Sequence, residues 1–585
     1  MTGRLRSDEW LSGHDETAVA HRAALRSAGI EISGAGGQPV IGIADTSSEL
    51  NPCNLPLRDV IPAVREGVLA AGGLPVVFPT MSLGEDLMKP SAMLYRNLMA
   101  IEIEENLRSY PLDGAVLMAN CDKTVPACLM GAASVDLPSI MLIGGSRPEI
   151  RFRGKPLRAG TDLWSYLDDY RSGRMSETEW GEFEACYSCG LGACNTMGTA
   201  SSMAIVTEAL GMALDGTALT PATDEVRVAQ AFAAGQRAVE LVKADIRPTT
   251  IMTPDAFRRA LVALCAAGGS TNVVIHLAAI AGRLGIELPL EWIDRIAADT
   301  PVLADIAPTG RMLISQLHAA GGVPALLAAV GADTPRGAVS VSDFPGASSP
   351  ELPTDEVPPE GRKASGLPVI RSLSDPVRPG PPFAVVRGTL APDGALLKAC
   401  AASPELFRHR GPALVFHGYH DMRARLDDPD LDVTTDTVLV LAGCGPVGVP
   451  GMPEWGMIPI PVKLAERGVT DMVRITDARM SGTSFGTCFL HVAPEAAIGG
   501  PLALVRDGDM IEIDVEGGRL DLDIPADELE RRRAEWRPPV SQQLRGWPAL
   551  YQRTVLQAPL GCDLDFLRPR NEDELRPVPP LVGRS

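Results

Sequence analysis

The stretch GAVLMANCDKT, residues 114–124, joins an uninterrupted apolar run to a polar string that begins at Asn120. Three similar apolar runs are PVIGIA (39–44), LPVVFP (74–79) and PSIMLIGG (138–145). The apolar runs alternate with helical patterns such as VIPAVREGVLAAGG (60–73). Alternation of short buried runs with amphipathic segments is typical of β-α-β units. The sequence therefore predicts an α/β fold here, with a parallel sheet covered by helices.

The rest of the chain divides into three regions. Residues 199–330 are Ala-rich and mostly helical in pattern, and we expect them to extend the first domain. Between Asp333 and Pro382 the composition shifts to Pro, Ser, Gly and Asp, which predicts a linker. Strand-like runs follow: FAVVRGTLA, PALVFHG, TVLVLAG, MVRITDA, CFLHVAP, LALVRDGDMIEIDV and RLDLDI. The sequence thus predicts an N-terminal α/β domain over residues 1–375 and a β-rich C-terminal domain over residues 376–585.

Composition limits the classes of partner. The chain has 585 residues and a formal net charge of -20, from 73 acidic and 53 basic residues. Such a charge repels nucleic acid and anionic membranes, so a small-molecule ligand is expected instead. No apolar run is long enough to span a membrane, and the N-terminus lacks the apolar core of a signal peptide, which favours a cytoplasmic protein.

The polar string Asn120–Thr124 is the strongest candidate for chemistry. Residues at the carboxyl end of a parallel strand face the crevice where α/β proteins bind ligands. There Asp122 suits a hard cation such as Mg²⁺, Cys121 suits iron or zinc, and Lys123 can change its pKa when desolvated. A surface turn with a buried cysteine explains the same string equally well.

Eleven cysteines in a chain of this kind favour buried thiols or metal ligands over disulfides. Cys53 and Cys194 lie in turns similar to that of Cys121, and three thiolates from three loops can hold an iron-sulfur cluster that leaves one iron open as a Lewis acid. The spacings, 68 and 73 residues, match no short zinc or ferredoxin pattern. Cys186 and Cys189 form a CxxC pair that competes with Cys194 as ligands or as a redox pair.

Acidic residues in loops are candidates for binding a cation, and each is also compatible with a solvated surface position; they are Glu85, Asp122 and Glu454. The loop Gly443–Gly448 satisfies GxGxxG and suggests a nicotinamide oxidoreductase. A dinucleotide fold needs a helix to begin there, whereas Pro450 and Pro453 follow at once. We therefore interpret this loop as a tight turn that carries Glu454 to a site.

A hydroxyl flanked by glycine occurs at Ser481, in the string DARMSGT after the strand-like MVRIT. Serine in such a turn often has only a local role. The sequence has no GxSxG motif, and its eight histidines show no metal-binding spacing, so a serine hydrolase has little support. His276 and His491 lie in apolar runs and are predicted to be buried core histidines.

Eight strings occur in order between about residues 38 and 525: SELNPCN, SLGE, NCDKT, CNTMGTA, GGSTNVVIHL, PGMPEWG, DARMSGT and HVAPEAAIGGPLALVRDGD. Together they resemble the dihydroxy-acid dehydratase and phosphogluconate dehydratase family. SLGE and CNTMGTA resemble the branch that acts on sugar acids such as L-arabinonate and D-xylonate. Two departures, Ala44–Ser47 and the charged segment SRPEIRFRGKPLRAG, bear on the substrate. The resemblance also implies that the C-terminal domain is barrel-like, similar to the swivel domain of aconitase.

The resemblance implies a specific site. Cys53, Cys121 and Cys194 would hold an iron-sulfur cluster, 2Fe-2S in preference to 4Fe-4S. Mg²⁺ would be bound by Glu85, Asp122, Glu454 and a carbamylated Lys123, while Ser481 would be the base and Thr483 its neighbour at the substrate.

The expected reaction is dehydration of an aldonate to a 2-keto-3-deoxy acid by a hydro-lyase, in a homodimer or homotetramer. The alternatives are a dihydroxy-acid dehydratase of branched-chain amino-acid biosynthesis, a nicotinamide-dependent oxidoreductase, and an iron-sulfur protein with a regulatory or binding role.

Overall fold

The computed structural model describes residues 5–32, 36–158, 160–171, 173–187, 190–331, 339–343, 368–575 and 578–583. Its N-terminal sheet has four parallel strands in the order β2-β1-β3-β4. The bounds are β1 Val40–Asp45, β2 Leu74–Pro79, β3 Gly114–Ala119 and β4 Ser139–Ile143. Each strand lies within one of the four apolar runs or extends it by a single residue, which confirms the predicted α/β fold of this half.

Helices cover this sheet and continue beyond it. The first five are α1 Asp8–Leu11, α2 Glu16–Ser27, α3 Leu57–Ala70, α4 Met93–Ser109 and α5 Thr124–Val135. A hairpin, β5 Arg151–Phe152 and β6 Lys155–Pro156, precedes α6 Thr161–Arg171 and α7 Glu177–Tyr187. The helical extension contains α8 Thr199–Ala209, α9 Val226–Ala244, α10 Pro248–Ile251, α11 Pro254–Ala267, α12 Asn272–Arg283, α13 Leu290–Asp299, α14 Ile314–Ala319 and α15 Gly322–Val330.

Two glycines allow α3 and α9 to pack very closely. A Cβ atom at Gly67 would lie 2.0 Å from the carbonyl oxygen of Phe232, and one at Gly235 would lie 2.2 Å from that of Val64. Distances this short exclude any side chain, so the contact requires glycine on both helices. The helical extension is thereby packed against the sheet and shares its core.

The C-terminal half contains a sheet of eight strands in the order β14-β13-β9-β10-β11-β12-β8-β7. Its central strands are parallel and its outer ones antiparallel. Arg387, next to β7, bridges to Arg519 of β14, which nearly closes the sheet into a barrel. The bounds are β7 Ala384–Val386, β8 Gly394–Leu397, β9 Arg408–His417, β10 Val438–Ala442, β11 Arg474–Thr476, β12 Cys488–Ala493, β13 Met510–Asp514 and β14 Arg519–Asp523. The barrel-like, β-rich fold is confirmed.

Two details of this half differ from the sequence prediction. Residues Pro501–Leu504 form a 3-10 turn, so only the second part of the run LALVRDGDMIEIDV is a strand. Strand β8 was not among the predicted strands, because its sequence GALL lacks the β-branched residues that mark the others. Four further helices are α16 Tyr419–Arg425, α17 Val462–Ala465, α18 Ala526–Glu535 and α19 Gly546–Thr554.

The predicted linker, Asp333–Pro382, falls largely outside the described residues. Its described end packs along residues 302–306, where Ala304 pairs with Ile370 and Val302 with Arg378. The domain boundary at residues 375 and 376 stays a prediction. Among the residues that the structure describes, no helix combines the length and apolar character needed to cross a membrane.

Candidate active site

Loops from four strands meet at one edge of the N-terminal sheet. The loop after β1 carries Cys53, the loop after β2 carries Glu85 and the loop after β3 carries Cys121. After β4, Ser146 pairs with Ala193 in an isolated bridge, which brings Cys194 to the same edge. The carboxyl ends of parallel strands are where open α/β sheets bind ligands. The residues around Cys121 therefore share this edge with candidate residues from three other loops.

The three cysteines predicted as cluster ligands lie together. The thiol of Cys53 lies close enough to the thiols of Cys121 and Cys194 to raise the pKa of both. The side-chain amide of Asn120 donates to the carbonyl oxygens of Cys53 at 2.6 Å and Gly145 at 2.8 Å, which holds the three loops in place. Residues far apart in sequence are thus brought together by the turns at the strand ends.

The electrostatics of these thiols fit a metal centre. The neighbouring thiol of Cys53, together with burial, raises the pKa of Cys121. Burial raises the pKa of Cys194 to about 12, although Arg147 opposes the effect. Three adjacent thiolates repel one another unless positive charge lies between them. All three thiols are free, and an iron-sulfur cluster both binds thiolates and neutralises their charge.

Cys186 is placed elsewhere. It packs against an aromatic cluster that contains Phe152 and Phe183, within the hairpin and α6–α7 segment. Cys189 lies outside the described residues. Of the two competing cysteines that the structure describes, Cys194 lies near Cys53, whereas Cys186 lies in the aromatic cluster.

Lys123 lies at the centre of the predicted cation ligands. Its side chain is 0% exposed, and its Nζ lies 3.2 Å from Glu85, 3.7 Å from Glu454 and in close contact with Asp122. Burial lowers the pKa of Lys123, but the carboxylates of Asp122 and Glu85 outweigh burial and raise that pKa above its ordinary value. Burial in turn raises the pKa of Glu454 against the opposing charge of Lys123.

Two residues missed by the sequence analysis complete this cluster. Arg479 is fully buried and donates to Glu454 at 2.9 Å and to Ser91 at 2.9 Å, and Ser91 donates to Glu85 at 2.9 Å. Asn272 donates to Glu454 at 2.7 Å. Arg479 lies in the string DARMSGT and Asn272 in GGSTNVVIHL. Their place in these family strings was the sequence signal that could have identified them.

The oxygen atoms of the cluster fit a hard cation. Asn272 Oδ1 is buried and accepts no hydrogen bond, while Glu85 Oε2 contacts the ammonium of Lys123 at 3.2 Å. Unpaired buried oxygens are unfavourable unless a ligand binds them, and carboxylate and amide oxygens are ligands that Mg²⁺ prefers. Within the ranges that the structure describes, no three His, Cys, Asp or Glu side chains have a geometry that could hold a metal ion as they stand.

Ser481 and Thr483 lie in a tight turn next to this cluster. Their hydroxyl oxygens are 3.0 Å apart. Asn272, which binds Glu454, also donates to the carbonyl oxygen of Met480 at 3.1 Å, so it links the turn to the carboxylates. A Cβ atom at Gly482 would lie 2.7 Å from the side chain of Ser270, which explains why glycine follows the serine.

The segment after β4 closes over the same turn. A Cβ atom at Gly160 would lie 2.5 Å from Thr483 Oγ1, and Gly160 has a φ of 80°. The backbone N–H of Gly160 donates to the hydroxyl of Tyr187 at 3.1 Å. The hairpin and α6–α7 segment therefore forms a wall of the site at Thr483.

The loop Gly443–Gly448 has the local role that the sequence analysis assigned to it. No helix begins there, and the backbone N–H groups of Cys444 and Val447 donate to the carboxylates of Asp477 and Glu495. Those N–H groups are consequently already paired with carboxylates of the protein itself. His276 and His491 are buried, as predicted, but Nε2 of each ring has no hydrogen-bond partner, and burial lowers the pKa of His491 to about 3.

Two family models match most of the chain. The model of the dihydroxy-acid/6-phosphogluconate dehydratase N-terminal domain matches residues 38–337, and that of the C-terminal domain matches residues 368–562. The chain belongs to this family. It is therefore a hydro-lyase, and the resemblance seen in the sequence is confirmed.

Relatives of different substrate specificity align over nearly the whole chain. The 6-deoxy-6-sulfo-D-gluconate dehydratase of Pseudomonas putida is 45% identical, over 99% of this chain and 98% of that protein. The L-arabinonate dehydratase of Rhizobium leguminosarum bv. trifolii is 45% identical, over 97% and 96%. The dihydroxy-acid dehydratase of Moorella thermoacetica is 37% identical, over 96% and 100%.

Proposed function

We propose that this hydro-lyase dehydrates a sugar acid, an aldonate such as L-arabinonate or D-xylonate, to a 2-keto-3-deoxy acid. The observation that carries the proposal is the convergence of three thiols, three carboxylates around Lys123, and the Ser481 turn at one sheet edge. Removal of a weakly acidic proton next to a carboxylate requires strong charge stabilisation, and this arrangement offers groups that can supply it.

The proposed cofactors follow from the donor sets. Cys53, Cys121 and Cys194 would hold an iron-sulfur cluster, 2Fe-2S in preference to 4Fe-4S. Glu85, Asp122, Glu454 and a carbamylated Lys123 would hold Mg²⁺, since carbamylation converts an amine into a carboxylate ligand. When bound, the open iron and Mg²⁺ supply Lewis acidity to the leaving hydroxyl and to the substrate carboxylate.

The protein's own residues move the proton. Ser481 would accept the C2 proton, while the C3 hydroxyl leaves with the electron pair of its C–O bond. The leaving hydroxide would then take this proton back from Ser481, so the products are water and an enol, which tautomerises to the 2-keto-3-deoxy acid, and the deprotonated serine is restored. Thr483, 3.0 Å from Ser481, can donate a hydrogen bond that stabilises the deprotonated serine. Arg479 and Asn272 fix the orientation of Glu454 through their hydrogen bonds.

The sugar-acid substrate is supported by the degree of similarity. Identity is 45% to the relatives named for L-arabinonate and sulfogluconate and 37% to the one named for dihydroxy acids. The branched-chain dihydroxy acid remains the second candidate, because the residues that would contact the carboxylate and C2 hydroxyl suit either substrate. We also propose that the protein is a homodimer or homotetramer, which analytical ultracentrifugation would test.

The deciding experiment is a substrate screen on anaerobically prepared enzyme. Pentonates, hexonates and dihydroxyisovalerate are supplied with and without Mg²⁺, and the 2-keto product is measured. We expect Mg²⁺-dependent turnover of an aldonate that exceeds turnover of dihydroxyisovalerate. Preference for dihydroxyisovalerate would reassign the substrate, and turnover that depends on added NAD would contradict the dehydration altogether.

A further inference from the structure

Lys398 is a buried cation at the Ser481 turn that the proposed reaction has not used. It follows β8 directly and is 1% exposed. Its Nζ donates to the carbonyl oxygen of Gly482 at 3.1 Å. In the part of the chain that the structure describes, no carboxylate forms an ion pair with it, in contrast to Lys123 with three.

The carbonyl that Lys398 binds belongs to the peptide unit that contacts Ser481. The other end of the Gly482–Thr483 peptide is the N–H of Thr483, and this group donates to Ser481 Oγ at 3.4 Å. The ammonium of Lys398, the peptide and the serine oxygen therefore form one chain of hydrogen bonds. Such chains polarise, because a cation at the carbonyl end makes the N–H end a stronger donor, and the effect is large in a buried setting.

We infer that Lys398 is a positioning residue that stabilises the deprotonated form of Ser481 through the Gly482–Thr483 peptide. This inference rests on the proposed function, in which Ser481 is the base. A hydrogen bond to the charged form of a group favours that form. The polarised N–H of Thr483 and the hydroxyl of Thr483 are then the two donors to the serine oxygen. Lys398 itself touches neither Ser481 nor the substrate.

The surroundings of Lys398 make its charge effective. Burial disfavours the ammonium form, so the pKa of Lys398 is lowered, and Cys400 is the titratable neighbour whose charge opposes this. The charged groups near Ser481 are Arg479, two residues before it in the chain, and Glu454, to which Arg479 donates. Asn272 donates both to Glu454 and to the carbonyl oxygen of Met480, the residue before Ser481. A buried lysine without a carboxylate is unfavourable for folding, which is consistent with a role in activity.

The test replaces Lys398 by residues that separate charge from shape. Lys398→Met removes the charge and the donor, Lys398→Gln keeps a donor without charge, and Lys398→Arg keeps the charge. We expect kcat to fall about tenfold or more in Lys398→Met, less than the ~100-fold or larger loss when a direct oxyanion donor is removed. KM should change little, and the acidic limb of the kcat profile should move to higher pH. Lys398→Arg should recover part of kcat.

Lys463→Met is the matched control, because Lys463 also donates to a backbone carbonyl, that of Leu431, in the same half of the chain. A purely structural role for Lys398 would lower the Tm and the amount of folded enzyme in Lys398→Met and leave its pH profile unmoved, as is expected for Lys463→Met. That outcome, or wild-type kcat in Lys398→Met, would overturn the inference. If Lys398→Met fails to fold, Lys398→Gln tests the inference in its place. We expect the acidic limb of its kcat profile to move to higher pH as well, because glutamine carries no charge.

The same assay separates this inference from the proposed function. Wild-type turnover that Ser481→Ala abolishes supports Ser481 as the base, and an unaffected Lys398→Met then overturns the role of Lys398 alone. Absence of dehydration in the wild-type enzyme would overturn both.

Discussion

Two clusters of buried charge join the C-terminal half of the chain to the N-terminal half, and they differ in how completely their charges are paired. The site cluster has three carboxylates and two cations; it contains Glu85, Asp122, Lys123, Glu454 and Arg479. The tail cluster joins the C-terminal part of the chain to α4 and α12 and has two carboxylates and two cations; it contains Arg96, Asn97, Glu104, Arg283, Cys562 and Asp563.

The tail cluster has its charges matched. Arg283 donates to both oxygens of Asp563, at 2.6 and 3.0 Å, and Arg96 donates to the carbonyl oxygens of Gly561 and Cys562. In the site cluster three carboxylates share two cations, and Oδ1 of Asn272, which donates to Glu454 through its amide nitrogen, is buried and accepts no hydrogen bond. Matched buried charge stabilises a fold once formed, whereas surplus buried acceptors indicate a place for a ligand. The contrast separates a structural cluster from a functional one.

The largest effect should come from removing a proposed cluster ligand next to the site cluster. We expect Cys121→Ser to abolish the visible iron-sulfur absorbance and the activity, because a serine oxygen is a poor replacement for a thiolate. Cys128→Ser, in α5 and equally buried, is the control and should keep both. A brown, active Cys121→Ser enzyme would remove Cys121 from the ligand set.

Removal of the proposed base should come next. Ser481→Ala should reduce kcat by about 10²–10⁴-fold, the usual contribution of a general base, with cluster absorbance and Mg²⁺ binding unchanged. Ser484→Ala, in the same turn, is the control and should leave kcat near the wild-type value. If Ser481→Ala keeps its activity in a clean preparation, another group must take the proton.

The two clusters should respond in opposite ways to loss of a carboxylate charge. Asp563→Asn leaves Arg283 buried with poorer compensation, so the free energy of unfolding should fall by about 3 kcal/mol. Glu454→Gln relieves repulsion among the site carboxylates, so we expect little loss of stability but much weaker Mg²⁺ binding. Denaturant unfolding measures the stability of each variant, and Mg²⁺ titration measures its affinity for the cation. Equal destabilisation by Asp563→Asn and Glu454→Gln would contradict the distinction between a structural and a functional cluster.

The smallest effect concerns Glu495, which links the loop before Glu454 to the segment before Cys562. Its carboxylate accepts from the N–H of Val447, in the loop that leads to Glu454, and from Gln557 in the tail. Burial, followed by the charge of Asp477, raises the pKa of Glu495 to about 7. The folded state therefore holds this proton more tightly than the unfolded state.

The contribution of Glu495 to stability is thus complete below its ordinary pKa and is lost as the pH rises through about 7. Between those values the free energy of unfolding should fall by up to about 1.4 kcal/mol per pH unit. Glu495→Gln should remove this slope, which unfolding at a series of pH values would measure. An unchanged slope in the variant would assign the pH dependence to other groups.

The parallel sheet was predictable because its signals are local. Each of the four apolar runs contains a strand, and turn residues follow each run. Strand β8 and the 3-10 turn at Pro501–Leu504 were missed, since short segments take their structure from the neighbours against which they pack. The closure of the barrel between Arg387 and Arg519 joins distant segments and has no local signal.

The site was predictable only in part. The sequence supplied the chemistry of Cys121, Asp122 and Lys123, because their position after a strand already places them in a binding crevice. The family string DARMSGT contains Arg479, but the contacts of Arg479 to Glu454 and Ser91 exist only after the two halves pack together. The same holds for Lys398, whose partner carbonyl lies 84 residues away.

What the sequence determined by itself was the type of fold and the motifs of the family, because hydrophobic alternation and turn residues act over a few neighbouring positions. Only the tertiary structure decided which groups meet and how their charges balance. Distances and burial between remote residues set the pKa values and hydrogen bonds of the site, and chain folding alone fixes those distances.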